Sequence, residues 1–548
     1  MPVDRRPARR SFTDRAHGLV TRTALGRRLA ALAEELGHRR VPLHWTNMFG
    51  VVSLACIAVI FISGLFLMFF YAPSSTPVVY RGGYEPLDGA TMSKAMRSTL
   101  AISFEVQGGL LMRQAHHWAA LLLPAALIMQ LLTSFFTGAF RRPRRLGWVL
   151  LFLLLITALV GGWSGYALPD DMLSGTGLRI VEGIVLGIPV VGTWLSTLLF
   201  GGEFPGQIIE HLYPVHVAIV PALLIGLLAL RIRAGYLQKP AQFAGRGRTE
   251  DNVVGVPVLP NAAARAGGLF LIVTAVILLV SATVTISPIW LYGPSSGGNA
   301  SAGSQPDWYT GFLDGALRLV PPGWEFVWLG RTWTLAILVP LAVVGVYLAA
   351  VLLYPFVEEW ITGDDRDHNI LDRPRNTSTR TGIGVAGIVF YGALWGAGSA
   401  DLVATHFHVG VESVVAFYQA AAVLGPALAF VVTRRVCLAL QKKDRQILLH
   451  GYETGRIVRL PGGEYVEIHQ PVDAHERWRL ANTGDGTPVL ARPDERGHVG
   501  LGARARAGLS RFFFEDRLTP IPPDELSQEL RQLSDDDVDE SAYEASIR

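Results

Sequence analysis

RQAHHWAALLLPAALIMQLLTSFFTGAFRRPRR, residues 113–145, decides how this chain is to be read. Its apolar run, Trp118–Phe140, is about long enough to cross a hydrocarbon core of roughly 30 Å. Four arginines close it (Arg141, Arg142, Arg144 and Arg145), and Arg113, His116 and His117 stand at its head. Ionisable side chains are costly inside a membrane span and persist there when they hold something. The reading therefore turns on what His116 and His117 hold.

The rest of the chain agrees with a membrane setting. Of its 548 residues 50% are hydrophobic and 17% charged, and mean hydropathy is positive, which excludes an ordinary soluble enzyme. A net charge of +3 gives no argument for nucleic-acid binding. The two cysteines, Cys56 and Cys437, fall in apolar runs, so no disulfide or thiolate metal site is expected. Residues 1–44 are basic, with helical spacing over Ala24–Leu36. No apolar run with a cleavage site follows directly, so a cleaved signal peptide is not expected.

Eight apolar runs follow, at 48–72, 114–139, 146–168, 213–233, 265–287, 331–356, 381–402 and 412–438. The class is all-α, a polytopic helical bundle. Between the third and fourth runs, residues 170–214 carry too many Gly and Pro for a span and read as a short surface hairpin around 177–199. Residues 441–548 are polar and end in SDDDVDESAYEASIR, the composition of a soluble tail whose last part is disordered. Arg and Lys cluster at 1–40, 141–145, 231–248, 366–380 and 434–445, and are sparser in the alternate loops. That asymmetry places both termini in the cytoplasm.

In this orientation the second and fourth runs are parallel. His116 stands at the outer end of one and His216, in HLYPVHVAIVP, at the outer end of the other. Two imidazoles at one depth suit a porphyrin iron. They equally suit interfacial histidines bonded to carbonyls or headgroups. Glycines favour the first use. Gly50 and Gly64 in the first run, and Gly147 and Gly161 in the third, are both fourteen residues apart. That is about 21 Å along a helix, on nearly one face, and leaves room for flat ligands at two depths. Glycines also let membrane helices pack closely.

The chain resembles the cytochrome b subunit of the quinol:cytochrome c reductase (bc1/bcc) complex, of the actinobacterial type. The resemblance is carried by RQAHHW at 113–118, FFTGAFRRPR at 135–144, GYALPDDMLSGTGLRI at 165–180, SAGSQPDWY at 301–309 and the long polar tail. It implies an eight-helix bundle whose first four helices, within 45–240, bind haem b. A second region, 241–440, carries the quinol-site loop, between the cytoplasmic segments 1–44 and 441–548. By resemblance His116 and His216 ligate the outer haem, Arg113 pairs with a propionate, and Gly64 and Gly161 flank it. His117, turned about 100° from His116, is a neighbour and not a ligand.

The family places a second histidine fourteen residues after the first in helix two, and fourteen or fifteen after it in helix four. Here those positions hold Gln130, Leu230 and Arg231. Gln is a poor iron ligand and Arg cannot ligate. One outer haem is therefore expected. The inner slot, still flanked by Gly50 and Gly147, is left empty or filled by side chains, lipid or quinone.

Pro306-Asp307-Trp308-Tyr309 matches the family's Pro-Glu-Trp-Tyr quinol motif, with Asp for Glu. Asp307 would take a quinol proton and Tyr309 would bond a ring oxygen. Residues 165–179 would form the opposite wall. His406-Phe407-His408 reads as a polar loop, Glu358-Glu359 as a solvated pair at a helix end, and Arg141–Arg145 as a topology signal. The implied function is a translocase-type respiratory oxidoreductase subunit in a bacterial plasma membrane, oxidising menaquinol. Its implied partners are a Rieske iron–sulfur subunit, a cytochrome c subunit, a terminal oxidase, lipid and a second copy of the chain. The alternative is a non-catalytic scaffold or assembly paralogue of that complex.

Overall fold

The computed structural model describes residues 23–202, 204–296, 298, 305–481, 486–493 and 498–515. Residues 1–22 of the basic N-terminal stretch, Ser301–Ser304 of the quoted SAGSQPDWY segment, and the acidic end 534–548 lie outside the described residues.

Among the described residues eight helices are long and apolar enough to cross a membrane: Trp45–Met68, Gly109–Phe136, Arg145–Ala167, Ile208–Leu237, Val258–Thr283, Leu335–Thr362, Ser378–Gly398 and Val411–His450. They are the first to eighth spans below. Their outward faces carry Leu, Ile, Val and Phe in the open, as helices surrounded by lipid require. Spans one to four enclose the main core, where Cys56, Ala119, Leu123, Leu151, Leu154 and Val220 meet. Spans five and six lie outside this bundle. Span five packs on spans one and two, and Trp148 of span three donates to the Val351 carbonyl of span six at 3.0 Å. Spans seven and eight pair with each other. Gly384 of span seven leaves the space that Phe135 and Phe136 of span two occupy.

Two ends can be told apart by composition, a histidine side and an arginine side. On the histidine side, helices Met172–Leu186 and Gly192–Phe200 form the hairpin expected between spans three and four. Asp171 caps the first of them in a reciprocal pair with Ser174. A short helix, Gly311–Arg318, leads into the strands Glu325–Trp328 and Arg331–Thr334 ahead of span six.

On the arginine side the amphipathic N-terminal stretch forms the helix Ala24–His38, and Arg39 stacks on Tyr236 at the end of span four. Span eight runs on to His450, so the expected boundary at 440/441 falls inside a helix. The hydropathy fades at the membrane surface, but Gln, Lys, Arg and Leu sustain helix geometry. The tail then forms an antiparallel hairpin, Tyr452–Arg459 with Tyr465–Gln470, and two helices, Ala474–Ala481 and Leu501–Phe514. The last of these folds back on span six, where Arg506 Nε donates to the Trp360 carbonyl at 2.6 Å.

The charged arginine side is more ordered than the sequence suggests. Glu358 and Glu359 are not a solvated pair. Glu358 is 4% exposed and accepts a fork from Arg380, itself 2% exposed, while Glu359 pairs with Arg142 and Arg145. Arg380 also reaches Asp372 at 2.7 Å, and Arg141 meets the other oxygen of Asp372 at 2.8 Å. The arginines at 141–145 therefore tie spans two and three to span six and to the loop before span seven.

Candidate functional site

His116 and His216 face each other across the four-helix bundle, with ring centres 6.0 Å apart. Span four opens into a π turn at Val215–Ile219, between Pro214 and Pro221, and His216 sits in it. Pro214 has no N–H to give the helix, which makes such a widening cheap. Each imidazole is held from behind by a serine of the neighbouring span. His116 Nδ1 lies 3.0 Å from Ser63 Oγ, whose hydroxyl donates to the Val59 carbonyl. His216 Nδ1 lies 3.1 Å from both Ser164 Oγ and the Gly161 carbonyl, and the Ser164 hydroxyl donates to that same carbonyl. Both serines thus accept from Nδ1–H, which leaves Nε2 of each ring deprotonated as a ligand donor. Two nitrogens about 2 Å from one metal set ring centres roughly 6 Å apart, so the pair fits an axially ligated iron.

Glycines make these approaches possible. A Cβ on Gly64 would stand 3.1 Å from His116 Cε1, and one on Gly165 would stand 2.5 Å from His216 Cε1. Gly161 has a different use. A Cβ there would meet Val220, so Gly161 admits span four, while its carbonyl orients His216. Gly165 and the two serines were not singled out from the sequence. Their signal is the Ser-Gly pair repeated at 63–64 and 164–165.

A cavity of about 550 Å³ joins the histidine pair to the Pro306–Tyr309 loop, lined among others by Arg113, His116, His216, Asp307 and Tyr309. Residues 165, 166, 168 and 169 line it too, while Asp171 to Arg179 turn away into the capped helix. Both guanidinium termini of Arg113 reach the Ser287 carbonyl at 3.3 Å, but its buried Nε has no hydrogen-bond partner among the described residues. A cation with a spare donor at the rim of this cavity suits a carboxylate.

Asp307 accepts from two sides. His117 Nε2 lies 2.9 and 3.0 Å from its two oxygens, and the Tyr309 hydroxyl donates to Oδ2 at 2.9 Å. His117 therefore has its own partner, separate from His116. Tyr309 is 1% exposed, and burial, with the carboxylate beside it, pushes its hydroxyl well above the ordinary range, keeping it a donor. The loop is stapled in place: Trp308 Nε1 donates to the Leu121 carbonyl, and Trp395 Nε1 to the Trp308 carbonyl. Gly162 leaves the space that the Tyr309 ring fills.

Toward the arginine side the same four spans hold no imidazoles. Gln130 Nε2 donates to Ser53 Oγ at 2.8 Å, and Arg231 donates to Gln130 Oε1 at 3.2 Å and to the Gly147 carbonyl at 2.6 Å. Side chains bond across this level beside Gly50, while nothing lies within 4 Å of where a Cβ on Gly147 would stand. Elsewhere, His406 and Phe407, expected in a loop, form the last turn of the short helix Ala400–Phe407 with His408 as its cap, and no cluster of three or more metal-ligating side chains occurs among the described residues.

Comparison with known proteins gives three results. The family described as "Cytochrome b(N-terminal)/b6/petB" matches residues 121–294. The cytochrome bc1 complex cytochrome b subunit of Streptomyces coelicolor is 44% identical over 91% of this chain and 93% of its own length. That of Mycobacterium tuberculosis is 42% identical over 89% and 88%. A solved structure, "Hyperthermophilic respiratory Complex III", superposes with a TM-score of 0.57 over 76% of this chain and 98% of its own, at 18% identity, and supports the fold.

Proposed function

Since the chain belongs to the family of cytochrome bc1 complex cytochrome b subunits, we propose that it binds haem b between His116 and His216 and oxidises quinol beside Asp307. The observation that carries this reading is the opposed imidazole pair, each Nδ1 engaged by a serine and each Nε2 left as a donor. The family is a multi-pass component of respiratory electron transport, and eight spans accord with it. The histidine side is then the outer side of a bacterial plasma membrane, and both termini lie in the cytoplasm.

Haem b bound here supplies a one-electron centre near the outer surface. The chain's own residues do the rest. Arg113 offers its spare donor to a haem carboxylate. The shared cavity would hold the quinol ring on the side of Asp307 and Tyr309, beside the iron-binding pair. Asp307, held in place by His117 and Tyr309, accepts the hydroxyl proton on a remaining carboxylate lone pair, and His117 orients that carboxylate from span two. The short reach of Asp is offset because the second-span histidine comes to meet it. A Rieske iron–sulfur subunit and a cytochrome c subunit are the partners that complete the reaction.

The test is spectroscopic. Purified protein should show a reduced b-type α band that is lost in His116→Ala and in His216→Ala. Protein that keeps its haem in both variants would overturn the assignment.

A further inference from the structure

The arginine-side half of the bundle repeats the layout of the histidine-side half with different chemistry. Gln130 stands fourteen residues after His116 in span two, and Arg231 fifteen after His216 in span four. Such steps return to nearly the same helix face, about 21 Å further along. Gly50 and Gly147 stand in the same relation to Gly64 and Gly161. The second level is thus built like a second site, yet its two facing side chains bond each other.

One chain of hydrogen bonds runs through all four spans there: Ser53 in span one, Gln130 in span two, Arg231 in span four and the Gly147 carbonyl in span three. The space opposite Gly50 is taken by the Gln130 amide, whose oxygen lies 3.8 Å from where a Cβ would stand. An amide nitrogen has no free lone pair, and a guanidinium presents only donors. The group the family would place here does not fit these residues.

Resting on the proposed function of the outer site, the structure assigns the Gln130–Arg231 level as a closed clamp, which makes this a one-haem cytochrome b whose redox chemistry is confined to the outer face. Each quinol oxidised gives one quinone, two protons and two electrons. Both protons leave on the outer side. Both electrons go to one-electron acceptors of the iron–sulfur or c-type class on that side, and no quinone is reduced at the cytoplasmic end.

Haem counting on the assembled complex tests this. Haem b per polypeptide would be measured by pyridine haemochrome, with a redox titration, in the wild type, in His116→Ala and in the double variant Gln130→His/Arg231→His. The wild type should carry one haem and titrate as a single wave, His116→Ala should carry none, and the double variant should gain a second haem and a second wave. Two haems in the wild type overturn the clamp while leaving the outer site standing. No haem in the wild type overturns the outer site and the clamp with it. A double variant that keeps the wild-type melting temperature and still binds one haem overturns the claim that these two side chains close the level. Should the double variant not fold, the wild-type count alone decides.

Discussion

Asp307 stands where three demands meet, since it must face the cavity while satisfying His117 and Tyr309. Asp307→Asn keeps the shape and removes the base. Quinol-dependent haem reduction should fall by roughly 10²-fold, the ordinary value of a positioned proton acceptor, with haem content unchanged. Stopped-flow reduction of the purified complex reads both. The serines behind the imidazoles bear on affinity instead. Ser164→Ala removes an oxygen that orients His216, and haem affinity should drop about 10–100-fold, measured by haem transfer to an apo-globin acceptor. At this scale residue type alone points to His116, His216 and Asp307, and the structure sets all three around one cavity. The His117–Asp307 bond was not legible, because 190 positions separate the two and only the path of the loop brings them together.

The spans show what helix ends conceal. All eight apolar runs appear as helices, because in lipid a stretch of that length has few other ways to satisfy its backbone. Their ends were less legible. Span eight outruns its apolar part, and Glu358, near the end of span six, looks solvated in sequence yet lies beneath Arg380 and Asp372. Burial at a span end depends on what folds over it, here span seven and the tail, and no local pattern records that. Removing one partner of a buried ion pair leaves the other charge uncompensated. Arg380 keeps Asp372, so Glu358→Gln should cost less than full unpairing, about 1.5–3 kcal/mol, seen as a fall in the melting temperature of the detergent-solubilised protein.

At the scale of the molecule, the two sides differ: one holds the histidine pair and the cavity proposed for haem and quinol, the other the ion pairs and the folded tail. Single cysteines test the orientation. Gly410→Cys lies on the histidine side and Arg456→Cys in the tail hairpin, both at exposed positions, while the native Cys56 and Cys437 are buried. A membrane-impermeant maleimide should label position 410 in intact cells and position 456 only after lysis. The eight spans were legible from hydropathy, and the arginine-rich loops give the orientation that this labelling tests, whereas the Gln130–Arg231 hydrogen bond left only the absence of two histidines in the sequence. That clamp also bears on leakage. The hydroxyl, amide and carbonyl groups of this level lie side by side across the bundle, so whatever crosses the bundle interior must pass them. A guanidinium at that level, with no carboxylate within ion-pairing reach among the described residues, raises an electrostatic barrier to protons and other cations. On the one-haem reading proposed above, the level that would lack a haem would carry a fixed positive charge in its place, a bar to proton back-flow down the gradient.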